Sequence, residues 1–468
     1  MQAAEGRADM GFFKAYDMRG TFGVDFDLGL VRRIGRALPR VVKGRRWLVG
    51  RDCRVTGGDV SAALVAGLLE AGVEVDDIGL ATTPMVYFFT AQDGYDGSVM
   101  VTASHNPPGD NGLKVSMATA LPVGYANGLN EVERLVLDAA SDEGAADGGR
   151  PSVAKPEDGQ ENAARLARYV AWQKSATDDA PFAGLKYAVD CSNGMSSLLV
   201  RELFPGAIVV NDAMDGTFPA HSPNPLKAEA REQIAALVRE KGLDCGVIFD
   251  GDADRAMFVD ENGEFVQPDY LIPVVARAAC LRQGMGEGKP VVLHDVRTSR
   301  GAIETLLESG FEPSMVEVGH AFAKPAMRKR GALCGGELAG HYYFSEFFGC
   351  DSGVLAARRV LSEVAAAKAQ GLTMSGMVRP ISSRYANSGE MNFKVDDKDA
   401  AIERVLAAAK GFGEETGRSE IDGTRLEFAD GWINVRKSNT EPYLRLIVER
   451  RGDLGPWTAA LKEAIGAC

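Results

Sequence analysis

Positive charge is in short supply in this chain: 52 lysines and arginines face 65 aspartates and glutamates, for a net charge of −13. That balance argues against unspecific nucleic-acid binding, which needs a basic field. It leaves room for a small anionic ligand, because a few arginines focused in a cleft outweigh the global sign. Long apolar runs are also missing. None approaches the ~18–20 residues that cross a bilayer. The opening MQAAEGRADMGFF lacks a basic stretch followed by an apolar one, as an export signal would have, so a cytoplasmic protein without a membrane partner is expected. The seven cysteines are scattered, odd in number and never spaced C-x-x-C, so reduced thiols are expected rather than disulfides or a thiolate metal site. No G-x-S-x-G elbow occurs, and histidine is scarce, with five in 468 residues.

At this length a chain exceeds one hydrophobic core, and a size prior gives roughly three domains. The clearest shift in composition is 141–165, SDEGAADGGRPSVAKPEDGQENAAR, read as an exposed linker. A second break falls at 376–385, GMVRPISSRY, where an Ala-rich helical pattern ends and strand-like alternation is expected to begin. Before and between them a repeat of strands emerges. WLVGRDCRVTGG, VEVDDIGLATTP and GSVMVTASHNP form the first unit. YAVDCSNGMSS, IVVNDAMDGTFP and CGVIFDGDADR form the second, and VVLHDVRTSRG, SMVEVGHAFAKP and ALCGGELAGH the third. Strands alternating with helices predict α/β layers with mostly parallel pairing and sites at strand C-termini. The fold expected is therefore three related α/β domains with mixed sheets, at 1–150, 160–262 and 263–375. A C-terminal α+β domain follows at 376–468, able to hinge as a lid near Pro380.

The third strand of each unit ends in an unusual loop. In FDGDADR, Asp250, Asp252 and Asp254 offer hard oxygen ligands for a divalent cation, Mg²⁺ before Ca²⁺. An EF-hand is disfavoured by Arg255 at the sixth loop position, which needs glycine; a solvated acidic turn remains open. In RKSNTEPYLRL, Arg436, Ser438, Asn439 and Thr440 gather donors suited to a phosphate dianion, or else form a turn with an exposed arginine. GGELAGH places Glu337 and His341 in a glycine-lined loop, as partners for sugar hydroxyls or as a tight turn, and EVGHAFAKP adds His320 and Lys324. In VTASHNPPGDNGLKV, Ser104 stands beside His105. Neighbours in sequence rarely face each other as nucleophile and base, so a phosphorylated serine near the metal is preferred to a hydrolase.

TASHNP, DGDADR, GELAGH and RKSNTEP, in this order, resemble the four signature loops of the α-D-phosphohexomutase superfamily, closest to its bacterial phosphomannomutase/phosphoglucomutase branch. The resemblance implies a heart-shaped four-domain architecture with one loop per domain. It also implies a mutase that interconverts hexose 6-phosphate and hexose 1-phosphate, of mannose and/or glucose, through a phosphoserine and a 1,6-bisphosphate. By the resemblance Ser104 carries the phosphoryl group, and Asp250, Asp252 and Asp254 hold Mg²⁺ with it. Arg255 supports the metal loop and the ligand, while Glu337 and His341 meet the sugar. Arg436, Ser438, Asn439 and Thr440 grip the phosphate not in transit. Tyr16 and Arg19, in KAYDMRG, match a segment facing the substrate, and Lys114 and His320 are the proton-transfer candidates. Glucose 1,6-bisphosphate is the expected activator and sugar phosphates are the expected partners.

Two departures stand out. Ala339 replaces a serine usual in the sugar loop, so one hydroxyl contact is missing. Arg297, in HDVRTSR, replaces a frequent lysine; it can bind substrate but cannot give up a proton at working pH, which leaves acid–base work to Lys114 or His320. The alternatives are a phosphoglucosamine mutase and a Mg²⁺-dependent sugar phosphatase.

Overall fold

A computed structural model describes residues 11–140, 159–178, 180–284, 288–438 and 443–466. The chain divides into two compact units, Met1–Phe265 with Glu346–Ser362, and Val266–Ser345 with Glu363–Cys468.

The strand repeat is present as read. In the first sheet Arg46–Arg51 pairs in parallel with Glu74–Leu80 on one side and Gly97–Val101 on the other, and Asp110–Met117 returns antiparallel beside Gly97–Val101. In the second sheet Tyr187–Asp190 pairs in parallel with Ile208–Val210 and Cys245–Phe249, and Ala256–Asp260 returns antiparallel. The second unit repeats the order with Val291–Asp295 between Glu312–Val316 and Cys334–Gly336, and with Tyr342–Phe344 antiparallel to the last. Each sheet thus runs second, first, third, fourth strand. The loop joining third to fourth is where the chain reverses direction at the C-terminal ends of the parallel strands. Those loops carry Ser104, the three aspartates, and Glu337 with His341.

The helices bury one face each. Leu28–Val41 starts where Asp27 accepts a hydrogen bond from the Leu30 amide at 2.7 Å, and it turns Leu30, Val31, Ile34 and Leu38 inward. It crosses Gly57–Glu70 at paired glycines: a Cβ on Gly67 would stand 2.1 Å from the Arg32 carbonyl, and one on Gly35 2.5 Å from the Leu64 carbonyl. In the second unit, Gly431–Lys437 and Leu444–Arg450 form the centre of an antiparallel sheet flanked by Thr424–Phe428 and Glu415–Ser419. The helices Lys398–Ala409 and Gly455–Ile465 contribute to its core, where Trp457 stacks on Phe412 at 4.4 Å. This is the α+β element expected.

Two expectations need correction. Helix Gly159–Ala176 begins inside the stretch read as a linker; the rest of that stretch, 141–158, lies outside the described residues. The second break, 376–385, is mostly helical, and strand begins just after it, at Ala386–Asn387. Thr373 caps a further helix, Met374–Ser382, that buries Met374, Val378 and Ile381 at helical spacing and contains Pro380. The supposed hinge is thus helical. The C-terminal sheet is also tied to the preceding domain. Arg425 donates to the Val296 and Thr298 carbonyls at 2.6 and 3.0 Å, and Arg300 donates to the Phe428 and Gly431 carbonyls, each at 2.9 Å, and to Glu427.

Candidate functional site

In the first unit the serine loop and the aspartate loop lie against each other. Ser104 has a φ of 53°, in the left-handed region that β-carbons disfavour. This turns its hydroxyl toward the aspartates, and Oγ donates to Asp250 Oδ2 at 2.9 Å. His105 Nδ1 lies 3.2 Å from the same Oγ, against the expectation that the two neighbours point apart; the left-handed turn at Ser104 is the reason. Gly251 admits the serine backbone: a Cβ there would stand 2.6 Å from the Ser104 carbonyl oxygen.

Asp250, Asp252 and Asp254 are fully buried, which excludes the solvated acidic turn, and each offers an oxygen within 4.8 Å of the others. Burial, then the charges of Asp254 and Asp252, push the Asp250 carboxyl well above the usual range. Lys114 Nζ lies 2.7 Å from Asp252 Oδ2 and 2.6 Å from Asp254 Oδ2. Burial alone would lower the lysine pKa, but the two carboxylates outweigh it and raise it, so Lys114 is held as a cation. Thr83 Oγ1 donates to Asp252 Oδ2 at 2.5 Å, while the buried Asp252 Oδ1 has no hydrogen-bond partner among the described residues. An excess of hard, anionic oxygens with one orphaned atom fits Mg²⁺. Arg255 Nε stands 3.8 Å from Asp250 and 3.9 Å from Asp254. Arg19 bonds Asp17 at 2.5 Å and Asn106 of the serine loop at 3.0 Å; Tyr16 is half-buried in the preceding bend.

The second unit gathers the remaining residues. Asp295 at the end of its strand accepts from the Arg297 guanidinium at 2.6 Å and from the Leu338 amide at 3.0 Å, joining Arg297 to the GELAGH loop. Glu337 is buried, which pushes its carboxyl up; it accepts from Tyr343 at 2.5 Å and lies 3.7 Å from Arg297. The His341 and His320 rings lie with centroids 6.3 Å apart, and Lys324 is buried on the His320 helix. Arg436 is 2% exposed, which removes the reading of an exposed arginine in a turn. It pairs with Glu390 at 2.8 Å, as do Arg445 at 3.1 Å and Arg297 at 3.6 Å. Burial would raise the Glu390 carboxyl, but these three guanidiniums hold it down to about 2. Ser438 precedes residues 439–442, so Asn439 and Thr440 lie outside the described residues.

Sequence reasoning missed Arg54, Asp52, Thr83, Asp295, Glu390 and Arg445. Three of them, Asp52, Arg54 and Asp295, carried a signal, the D-x-R that closes a strand in both GRDCR and HDVRT.

Comparison with known proteins bears on all four regions. Family models described as phosphoglucomutase/phosphomannomutase alpha/beta/alpha domains I, II and III match residues 10–142, 164–263 and 267–384, and the C-terminal domain of the same family matches 390–463. A protein named "Phosphohexose mutases" from Xanthomonas campestris is 37% identical over 446 residues, covering 94% of this chain and 95% of that one. A phosphomannomutase from Escherichia coli is 36% identical over 453 residues, covering 94% and 95%. The crystal structure of a phosphoglucomutase/phosphomannomutase family protein from Burkholderia thailandensis superposes with a TM-score of 0.81 at 28% identity, over 98% of both chains.

Proposed function

This chain belongs to the phosphoglucomutase/phosphomannomutase family and is an isomerase, and we propose that it interconverts hexose 6-phosphate and hexose 1-phosphate, of mannose and/or glucose, through a phosphoserine at Ser104 and a 1,6-bisphosphate intermediate. One observation carries this reading: the Ser104 hydroxyl donates to Asp250 at 2.9 Å, at the edge of a buried cluster of three carboxylates.

Ser104 Oγ is the atom that carries and receives the phosphoryl group. The phosphorus moves from Oγ to the free hydroxyl oxygen of the sugar phosphate, whose proton leaves to a nearby base. The bisphosphate then returns its other phosphate to Oγ. Asp250, Asp252 and Asp254 would hold Mg²⁺ beside Ser104, and the ion when bound would supply charge neutralisation. Arg255 and Arg19 place positive charge beside the serine loop. Lys114, kept protonated between Asp252 and Asp254, suits the donation of a proton. His320 is the second proton-transfer residue. Glu337, His341 and Tyr16 orient the sugar. Arg436, Ser438, Asn439 and Thr440, with Arg297, hold the phosphate that is not moving; fork-shaped guanidiniums suit a phosphate better than ammonium groups. Glucose 1,6-bisphosphate activates by rephosphorylating a serine that has lost its group.

Intact-mass analysis of freshly purified protein tests this directly. A fraction should be heavier by one phosphoryl group, mapping to Ser104. A phosphate found only on another residue would remove the central role of that serine. Turnover raised by added glucose 1,6-bisphosphate separates a mutase from a phosphatase. The ratio of kcat/KM for mannose, glucose and glucosamine 1-phosphates separates the sugars.

A further inference from the structure

The first strand of each α/β repeat ends on, or runs directly into, an aspartate that closes the same turn. Asp52 Oδ1 accepts from the Arg54 amide at 2.9 Å, Asp190 Oδ1 from the Ser192 amide at 2.8 Å, and Asp295 Oδ1 from the Arg297 amide at 2.7 Å. In each case the other carboxylate oxygen faces a cation or a group that can become one. Arg54 Nε stands 3.2 Å from Asp52, His221 Nε2 3.0 Å from Asp190, and the Arg297 guanidinium 2.6 Å from Asp295. The turn is shared; the use of the cation is not. Arg297 faces Glu337 and Glu390, and the other ring nitrogen of His221 lies 2.9 Å from the Ser222 carbonyl. Arg54 is directed wholly at the loop of Ser104.

We propose that Arg54 is a positioning residue for phosphoryl transfer: anchored by Asp52, its guanidinium locks the backbone of the Ser104 loop so that Oγ is presented to the aspartate cluster. The inference rests on the reading of Ser104 as the phosphoryl carrier. Arg54 Nη2 donates to the carbonyls of Ser104 at 2.9 Å and Asn106 at 2.7 Å; Nη1 donates to those of Pro107 at 2.6 Å and Asp110 at 2.8 Å. The Pro107 carbonyl also accepts from the Asp110 amide at 3.1 Å, but a planar fork of N–H donors is the side chain that reaches all four carbonyls of this tight loop together. Asp52 completes the clamp from the other side. Its Oδ2 accepts from Thr102 Oγ1 at 2.5 Å, and that oxygen accepts from the Ser104 amide at 2.8 Å. The serine is therefore held at both its N–H and its C=O, through one ion pair. This is what keeps a non-glycine residue at a φ of 53°, a conformation the backbone would otherwise leave. Arg54 is 2% exposed and packs against the Phe218 ring at 5.2 Å, so it acts through the loop and not on the sugar.

The test compares Arg54→Lys, Arg54→Ala and Thr102→Val with wild type, using glucose 1-phosphate, excess Mg²⁺ and saturating glucose 1,6-bisphosphate. A lysine keeps the charge but cannot span four carbonyls, so kcat should fall ~10–100-fold with KM within ~3-fold, as a displacement near 1 Å of a reacting group would produce. Thr102→Val keeps the volume and removes only the amide cap; its kcat should fall by about tenfold. Guanidinium ion at low millimolar concentration should restore part of the Arg54→Ala rate, and methylammonium should not. Wild-type kcat in Arg54→Lys and Thr102→Val overturns the inference, as does a raised KM with unchanged kcat, which would make Arg54 a substrate contact. If Arg54→Ala does not fold, the other two variants decide. Absence of phosphate from Ser104 in active wild type refutes the carrier reading itself, and is read by mass without reference to Arg54.

Discussion

Replacing Asp252 by asparagine removes one charge from the centre of the aspartate cluster while preserving shape. Asp252 Oδ2 lies 2.7 Å from Lys114 Nζ, and its ligand oxygen lies within 4.8 Å of those of Asp250 and Asp254. At an effective dielectric of ~20, the lost attraction is ~6 kcal/mol, and each relieved carboxylate repulsion is ~3.5 kcal/mol. The terms nearly cancel, and Lys114 keeps its contact with Asp254 at 2.6 Å. The metal-free variant should therefore stay folded, with stability within ~3 kcal/mol of wild type. The loss appears when Mg²⁺ is added. Wild type at a Mg²⁺ concentration 100 times its Kd gains about 2.7 kcal/mol, seen as a higher melting temperature that chelation reverses. The variant should show little of that gain, and kcat should fall by at least ~100-fold because the neutralising charge is missing. Thermal melts with Mg²⁺ and with EDTA, beside turnover of glucose 1-phosphate, read both effects. Near-normal turnover in excess Mg²⁺, or a wild-type Mg²⁺ shift, would refute the assignment of Asp252 as a ligand.

Gly251→Ala should push the serine loop outward, because the added Cβ would meet the Ser104 carbonyl at 2.6 Å. The expected cost is about 1–3 kcal/mol of stability and at least a ~10-fold fall in kcat, measured by urea unfolding and steady-state kinetics. Glu390→Gln removes the carboxylate shared by Arg297, Arg436 and Arg445; inorganic phosphate should then inhibit roughly tenfold more strongly, whereas weaker inhibition would make Glu390 a brace for the arginines instead of their resident anion. The buried Asp269 carboxyl is raised to about 7 by burial first and by Glu449 and Asp295 after it. The folded chain thus keeps a proton that the unfolded chain releases near pH ~4. Stability should fall by about 4 kcal/mol as pH rises from ~4 to ~7 and then level off. Urea titrations of Asp269→Asn across that range should show a flatter profile; an unchanged slope would refute the shift.

The loops proposed to carry chemistry stood out in the sequence because they break local rules. Three alternating aspartates after an apolar strand, or a serine and a histidine in a proline-rich turn, have no purpose in packing alone. Their partners were not legible. Arg54 reaches the Ser104 carbonyl across 50 positions, and Thr83 reaches Asp252 across 169. Nothing local in either sequence segment encodes those distances. The repeat did encode part of the answer, since D-x-R recurs after the first strand of two domains. The helix at Met374–Ser382 was hidden for a different reason. Its buried residues sit at Met374, Val378 and Ile381, but Pro380 reads as a breaker when the three are not counted together.

The net charge of −13 also bears on what the chain can bind. A global sign sets the far field, which salt screens within about 8–10 Å, whereas a ligand meets charges a few ångströms away. In the first unit three buried carboxylates face Lys114, with Arg255 nearly 4 Å off, so the cluster is short of positive charge. In the second unit Arg297, Arg436 and Arg445 converge on Glu390, while Arg297 also meets Asp295 and Glu337 and Arg436 lies 3.7 Å from Asp422. The carboxylate excess in the first unit suits a divalent cation, and the three guanidiniums meeting at Glu390 suit a phosphate dianion that would take its place. Under the proposed function, these two clusters would serve a metal-dependent reaction of an anionic substrate. Exchanging the signs locally, at constant net charge, should abolish that reaction without altering the far field.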